Sequence, residues 1–290
     1  MIYHLSGNDL NNASATLRVR GPDANTYLQG QFTQDLKLTE KGPAYGLWLD
    51  LKGKVLADSH VIRLADNDFL VASFATTAAA LLARLEAYVI ADEVELHDET
   101  AQWANVLVWG DGALPDFTLP AGALVFPSRR AGPQAREILV PAGHLTETLA
   151  QVETFAIASN RGVAEFARLG AALPAVPGDI GARDLPAEGA LDAVAISFTK
   201  GCYLGQEVVA RLKNLGQVRR ALHVVAGVGE PPPSGTPLYQ GTRKAGETRT
   251  AATDGETFLV MAMLSLVQLD PAAPLGMAPG GTSLRIRRRV

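Results

Sequence analysis

Apolar and polar positions alternate early in the chain: Leu17 and Val19 lie among Thr16, Arg18 and Arg20, the two-residue period of a half-buried β-strand. Gly21-Pro22-Asp23 then reads as a helix opening with proline in its first turn, and this helix ends near Gly30. Two β-rich runs follow, His60 to Leu64 and Phe69 to Ala72; the intervening Ala65-Asp66-Asn67-Asp68 suits a tight turn and predicts a hairpin. Leu81, Leu82, Leu85, Tyr88 and Val89 recur at helical spacing behind Thr76 or Thr77, either of which can cap the segment. Val94 to His97 and Val106 to Trp109 read as further strands, and the order strand, hairpin, helix, strand predicts one mixed α+β layer.

Residues 110–135 are rich in Gly, Pro and Ala and read as loops and short strands. A second helical stretch is predicted from about Leu145 to Val163. The texture changes from Leu222, where Pro231-Pro232-Pro233, Gly235, Gly241, Gly246 and Gly255 punctuate short apolar runs. That pattern predicts a small antiparallel β-barrel, so a boundary near Gly216 divides the chain into 1–215 and 216–290. No internal repeat is evident.

With 290 residues, 47% of them hydrophobic, the chain can bury an ample core. A formal net charge of −4, with both signs interspersed, argues against a polyanion-binding surface, and no direct nucleic-acid contact is expected. The basic run Arg285 to Arg289 reads as a solvated tail. A single cysteine makes no internal disulfide, Met1 to Ser6 lacks the pattern of a secretion signal, and Arg84 and Glu86 interrupt the apolar stretch from Ala75 to Ile90. A cytoplasmic protein without membrane contact is expected.

The chain's one cysteine stands in Phe198-Thr199-Lys200-Gly201-Cys202-Tyr203-Leu204-Gly205-Gln206-Glu207. Gly201 and Gly205 remove side-chain bulk, while Lys200 and the start of a helical pattern would both favour a thiolate. A lone cysteine is otherwise a small buried hydrophobe. His4, His60, His97, His144 and His223 show no metal-ligand spacing, and His223 falls in an apolar strand pattern that suits a structural role. No metal site is expected, and phosphate-cradling Gly-rich loops are missing. Asp58 follows Gly53-Lys54-Val55-Leu56-Ala57 on an expected strand; it is either an edge carboxylate in water or a group facing a ligand.

Lys200-Gly201-Cys202-Tyr203-x-Gly205-Gln206-Glu207 resembles the signature of the YgfZ family of folate-binding proteins, which are similar to the aminomethyltransferase T-protein of the glycine cleavage system. The resemblance extends over Arg20 to Ala24, Tyr27-Leu28-Gln29-Gly30, Asp35, Leu49 to Lys54, Asp58, Leu185-Pro186-Ala187-Glu188 and Gly216 to Arg220, nearly the whole chain. It implies an α+β fold: a T-protein-like folate-binding body with a ferredoxin-like subdomain, followed by the small C-terminal barrel.

The same resemblance implies tetrahydrofolate or another reduced folate as ligand, and iron–sulfur proteins or their assembly factors as partners. Assembly or repair of such proteins would bear in turn on tRNA modification. Asp58, Lys200 and Cys202 would be the reactive residues, with Cys202 at the rim of the folate cleft. Asp58, Tyr203, Gln206 and Glu207 would contact the ligand, and Arg219 or Arg220 would hold its carboxylate tail. Two alternatives remain open: a true aminomethyltransferase, and a non-catalytic scaffold that has lost folate binding.

One departure bears on the ligand. Where the family reads Arg-Ile-Glu-Ala-Gly-x-Pro, this chain reads Arg168-Leu169-Gly170-Ala171-Ala172-Leu173-Pro174, so the pterin-anchoring glutamate is replaced by Gly170. Losing such a charge-assisted bond costs roughly 1.5 to 3 kcal/mol, which predicts weaker folate binding unless Glu165, Glu153 or Glu188 substitutes.

Overall fold

The computed structural model describes residues 1–6, 14–112 and 114–290. In chain order its first strands and helices are β1 (Ile2–Ser6), β2 (Ala15–Arg20), α1 (Ala24–Gln31), β3 (Ala44–Leu49), β4 (Val55–Ala65), β5 (Asp68–Ser73), α2 (Ala78–Glu86), β6 (Glu95–Asp98) and β7 (Trp103–Gly110). There follow β8 (Leu124–Pro127), β9 (Arg136–Pro141), α3 (Leu145–Val152), β10 (Ile157–Ala158), α4 (Arg161–Gly170), α5 (Asp192–Ala195) and α6 (Gln206–Leu215). The C-terminal part is all strand: β11 (Arg220–Val228), β12 (Pro237–Gln240), β13 (Arg243–Thr253), β14 (Thr257–Ser265) and β15 (Arg285–Arg289). None of the described helices is long and apolar enough to cross a membrane.

The strands form three five-stranded sheets, ordered β3-β4-β5-β2-β6, β10-β1-β7-β9-β8 and β12-β13-β14-β11-β15. The predicted hairpin is β4–β5, turning through Asn67 at φ 53°, a left-handed conformation that Asn tolerates. Thr77 caps α2 by accepting from the amide of Ala80. Both α1 and α2 pack on one face of the first sheet, where Tyr27, Leu28, Leu81 and Leu85 meet Leu17, Val19, Val61 and Val71. On the opposite face Ile62, Leu70 and Ala72 meet Phe126 of β8 and Leu139 of β9, so the first two sheets bury each other. A third cluster joins Leu47, Leu49 and Val55 to Leu169, Tyr203, Leu222, Met261 and Met263, tying the third sheet to this body.

Three expectations are corrected. The segment Trp103–Gly110 leaves the first sheet and pairs with β1 and β9 instead, because its register partners come from the chain's first and later strands rather than from the hairpin. The long helix expected from Leu145 to Val163 is two helices: the chain turns at Thr154, Ile157 and Ala158 pair in parallel with Tyr3 and His4, and Asn160 caps a new helix by accepting from Val163. The C-terminal sheet is antiparallel but is not a closed barrel. Its edges are the four-residue β12 and β15, and a strand with arginine at four of its five positions is a poor partner for another edge.

Candidate functional site

Strand alternation decides where the carboxylate of Asp58 goes. On β4, Ala57 and Val61 face the helices, so Asp58, His60 and Ile62 face the other way. Register places Tyr45 and Ala72 beside His60, and this row opens into a cavity of about 290 Å³. Its walls come from all three sheets and from α4: Tyr45, Asp58, His60 and Phe74 from the first sheet and its flank, Arg129, Arg130 and Glu137 from the second sheet and the loop before β9, and Arg161, Glu165 and the stretch Pro174 to Gly178 from α4 and the segment after it. Ring contacts of 5.1 Å between Tyr45 and His60 and 4.7 Å between His60 and Phe126 make the first wall aromatic.

Tyr45 Oη donates to Asp58 Oδ2 at 2.8 Å. Burial pushes the Asp58 carboxyl up to about 6, although the Tyr45 hydrogen bond and the charges of Arg129 and Arg130 favour its ionised form. Burial also raises the Tyr45 hydroxyl well above its ordinary value, with the Asp58 charge adding to it, and lowers His60 to about 4, so the imidazole is neutral at physiological pH. Burial alone would raise Glu137, but Arg130, Ser128 and Asn105 together outweigh it and hold the carboxylate below its usual range. The Arg129 guanidinium lies over the Tyr45 ring at 5.2 Å, and its buried Nε has no hydrogen-bond partner among the described residues. A buried donor left unpaired costs about 1 to 3 kcal/mol, so this nitrogen favours a ligand bearing an acceptor.

The cysteine run lies elsewhere. Cys202 is exposed, and neither it nor any other residue of 198–207 lines the cavity. The α-helix begins only at Gln206, so Cys202 sits on the loop before it rather than in its first turn. Lys200 does not direct its charge at the thiol: its Nζ donates to the carbonyls of Gln29 at 2.6 Å, in the last turn of α1, and of Phe32 at 2.7 Å and Gln34 at 3.1 Å, just past its end. Burial lowers this ammonium to about 8, against the pull of Asp35. Leu204 donates its amide to the Gly30 carbonyl, and Gly205 packs on Asp50 and Gly53. Three separate motifs therefore meet at this loop.

The family description "GCVT N-terminal domain" matches residues 8–114. A fungal protein of Pyricularia oryzae named iron-sulfur cluster assembly factor IBA57 homolog is 29% identical over 222 residues, 71% of this chain; the chain spans only 54% of that relative. The tRNA-modifying protein YgfZ of Vibrio vulnificus is 29% identical over 223 residues, 74% of this chain and 68% of the relative. Human mitochondrial iron-sulfur cluster assembly factor IBA57 is 30% identical over 282 residues, 86% of this chain and 74% of the relative. The chain belongs to the YgfZ/IBA57 family. Its fold is that of the glycine cleavage T-protein, since the Bartonella henselae aminomethyltransferase T superimposes with a TM-score of 0.79 at 17% identity, covering 94% of this chain and 81% of that one.

Within this YgfZ/IBA57 chain only Asp58, of the site residues expected from sequence, lines the cavity. Tyr203 is buried in the shared core, Gln206 and Glu207 open α6, and Arg219 is exposed. Arg220 is engaged by Glu188 at 2.7 Å and Asp184 at 2.9 Å. The arginines on the cavity wall are instead Arg129, Arg130, Arg161 and Arg168. Of the three glutamates considered as substitutes at position 170, only Glu165 lines the cavity: Glu153 lies 4.0 Å from His4, and Glu188 bonds to Arg220 and the Leu185 amide. Tyr45 and His60 are legible in retrospect, as register neighbours facing the same side as Asp58. Arg129 and Arg130 sit in a Gly/Pro-rich stretch whose composition carries no such signal.

Proposed function

We propose that this chain binds a reduced folate in the cavity and, through the exposed Cys202 loop, assists the assembly or repair of iron–sulfur proteins, with consequences for tRNA modification. The observation that carries the folate reading is the Tyr45–Asp58 pair on the wall of a largely apolar, aromatic-lined cavity. The residues present fit such a ligand. Tyr45, His60 and Phe74 offer a face for a planar ring, Asp58 offers a carboxyl able to accept or donate, and the partnerless Arg129 Nε suits an acceptor atom. A reduced folate, when bound, supplies one-carbon chemistry at its ring nitrogens.

The chain's own contribution follows from the geometry. Tyr45 orients the Asp58 carboxyl, and its raised pKa lets Asp58 hold or release a proton near neutrality. His60, neutral throughout that range, adds aromatic surface without charge. Separation of Cys202 from the cavity supports a protein-facing task for the thiol over folate chemistry. The names of the curated relatives, iron–sulfur cluster assembly factor and tRNA-modifying protein, support that half of the reading.

Calorimetry and thermal shift with 5-formyltetrahydrofolate test the binding half. Heat and a raised Tm, both abolished in Asp58→Ala, are expected; neither heat nor a shift at millimolar ligand overturns it. For the second half, Cys202→Ala should melt as the wild type does, because the side chain is exposed, yet fail to rescue a cell defective in a cluster enzyme. Full rescue refutes the thiol's role.

A further inference from the structure

The basic run Arg285 to Arg289 is not a solvated tail but the edge strand β15, paired with β11. Arg285, Arg287 and Arg289 are exposed, and none of the run's four arginines makes an ion pair among the described residues. Arg288 is engaged, donating from Nη2 to the Gly170 carbonyl at 2.7 Å. The net charge of −4 averages this row away, although locally it is four positive charges in five residues.

A pocket of about 270 Å³ opens beside the strand. Leu266, Leu269, Pro271 and Ile286 make its apolar wall, and its polar side chains are His223 and Arg287 to Arg289. The wall is held in place, since Arg243 donates to the carbonyls of Val267 at 2.8 Å and Gln268 at 2.6 Å, and Gln240 bonds both the amide and the carbonyl of Asp270. The Asp270 carboxylate does not line the pocket; it accepts from the Ala272 amide at 2.9 Å. Across from this wall, register sets His223 beside Arg289, and a bulge between Val224 and Val225 leaves Arg287 unpaired on the strand.

His223 is 4% exposed, and its Nδ1 lies 3.0 Å from the Ala221 carbonyl. A carbonyl only accepts, so Nδ1 carries the proton and Nε2 of the neutral ring is an acceptor. Burial lowers this imidazole below its ordinary value against the Ala221 hydrogen bond, and the Arg289 charge lowers it further, which keeps the ring neutral at physiological pH. Nε2 has no hydrogen-bond partner among the described residues. It is a recessed acceptor in a pocket whose other polar side chains all donate. The complement is an anion with a hydroxyl beside it, as in a ribose phosphate; a deoxyribose phosphate keeps the anion and lacks the hydroxyl.

The row also outreaches one phosphate. Arg285 lines a second hollow that shares Pro271 and Ile286 with the first. At about 3.3 Å per residue, Arg285 and Arg289 stand about 13 Å apart along the strand, so a mononucleotide engages one end where a chain of phosphates engages both.

We infer that β15 and the His223 pocket bind the sugar–phosphate backbone of single-stranded RNA, with Arg285, Arg287 and Arg289 on phosphates and His223 Nε2 accepting from a ribose 2′-hydroxyl. A single strand, unlike a duplex, bends its backbone to bring that hydroxyl to a recessed acceptor. The surface shares no lining residue with the cavity around Asp58, and the assignment does not rest on the folate reading.

Fluorescence anisotropy of the full chain with a labelled oligouridylate of about twelve nucleotides, and with the oligodeoxyuridylate of the same length, tests this from about 50 mM salt upward. Wild type should bind the RNA about tenfold more tightly than the DNA, the worth of one hydrogen bond. The double variant Arg287→Ala, Arg289→Ala should weaken both at least tenfold and flatten the salt dependence by about two phosphate contacts. His223→Leu should bring RNA down to the level of DNA and leave DNA unchanged. Equal affinity of wild type for RNA and DNA, a comparison that needs no variant, overturns the assignment, as does no binding of RNA at the lowest salt. An unchanged salt dependence in a folded double variant overturns it too. So does uridine monophosphate displacing the oligomer nucleotide for nucleotide, which marks a single-nucleotide pocket instead.

Discussion

Gly205 stands so close to Gly53 that a Cβ on Gly205 would lie 3.2 Å from the Gly53 Cα and 2.5 Å from the Asp50 carbonyl oxygen. Both residues have positive φ, 82° and 71°, so each is glycine for its backbone conformation as well as for space. The contact docks the loop that carries Cys202 onto the turn between β3 and β4. Gly205→Ala is expected to destabilise the fold by about 2 kcal/mol or more, since backbone rather than a flexible side chain blocks the new methyl. Urea denaturation measures it; a change under about 0.5 kcal/mol contradicts the packing described.

Lys200 closes the same junction from the other side. Removing its ammonium leaves the carbonyls of Gln29, Phe32 and Gln34 without this donor in a mostly buried place. Lys200→Met should therefore cost roughly 2 to 4 kcal/mol and speed hydrogen exchange at the Leu204 amide, which donates to Gly30. Wild-type exchange at that amide would show that the clamp is dispensable.

The Asp58 carboxyl binds its proton more tightly in the folded state, with a pKa of about 6 against an ordinary 3.8. The folded state is thus favoured by protonation, and that advantage disappears as the pH rises from about 4 to about 6. Asp58→Asn carries no such ionisation. Relative to this variant, wild type should lose about 2 kcal/mol of stability between pH 4 and pH 7. Parallel stability curves across that range would mean that the carboxyl is not raised.

Glu137 is fully buried, and its partners Arg130, Ser128 and Asn105 all converge on its two oxygens. Glu137→Gln leaves the Arg130 guanidinium without its counter-charge, and a loss of about 3 kcal/mol is expected in thermal or chemical denaturation. Because Arg130 stacks at 4.5 Å on Phe74, ligand affinity at the cavity should fall along with stability. Loss of neither would disconnect this network from the site.

Local pattern was enough for the elements whose signals lie within a few residues of one another. The β4–β5 hairpin around Asn67, the helix capped by Thr77 and the strand bearing Asp58 follow from short-range alternation, capping and turn chemistry. The motif Lys200 to Glu207 marked the family for the same reason, because it is contiguous. Pattern failed where partners are distant in sequence. Ile157 and Ala158 look like the middle of a helix until Tyr3 and His4 supply a strand to pair with, and Trp103–Gly110 cannot announce which sheet it joins.

The cavity belongs to the second kind. By itself the sequence determined that Asp58 sits on a strand, that Cys202 is the chain's one thiol, and that glycines flank it. Only the tertiary structure decided that Asp58 shares a cavity with Tyr45, His60, Arg129 and Glu165, while Lys200 turns its charge toward α1 and Cys202 is left on a separate surface. The reason is physical. Strand alternation fixes which side a residue faces, but what occupies that side is set by sheet and helix packing between segments well over a hundred residues apart, as Lys200 and Gln29 are, and no local signal encodes that distance.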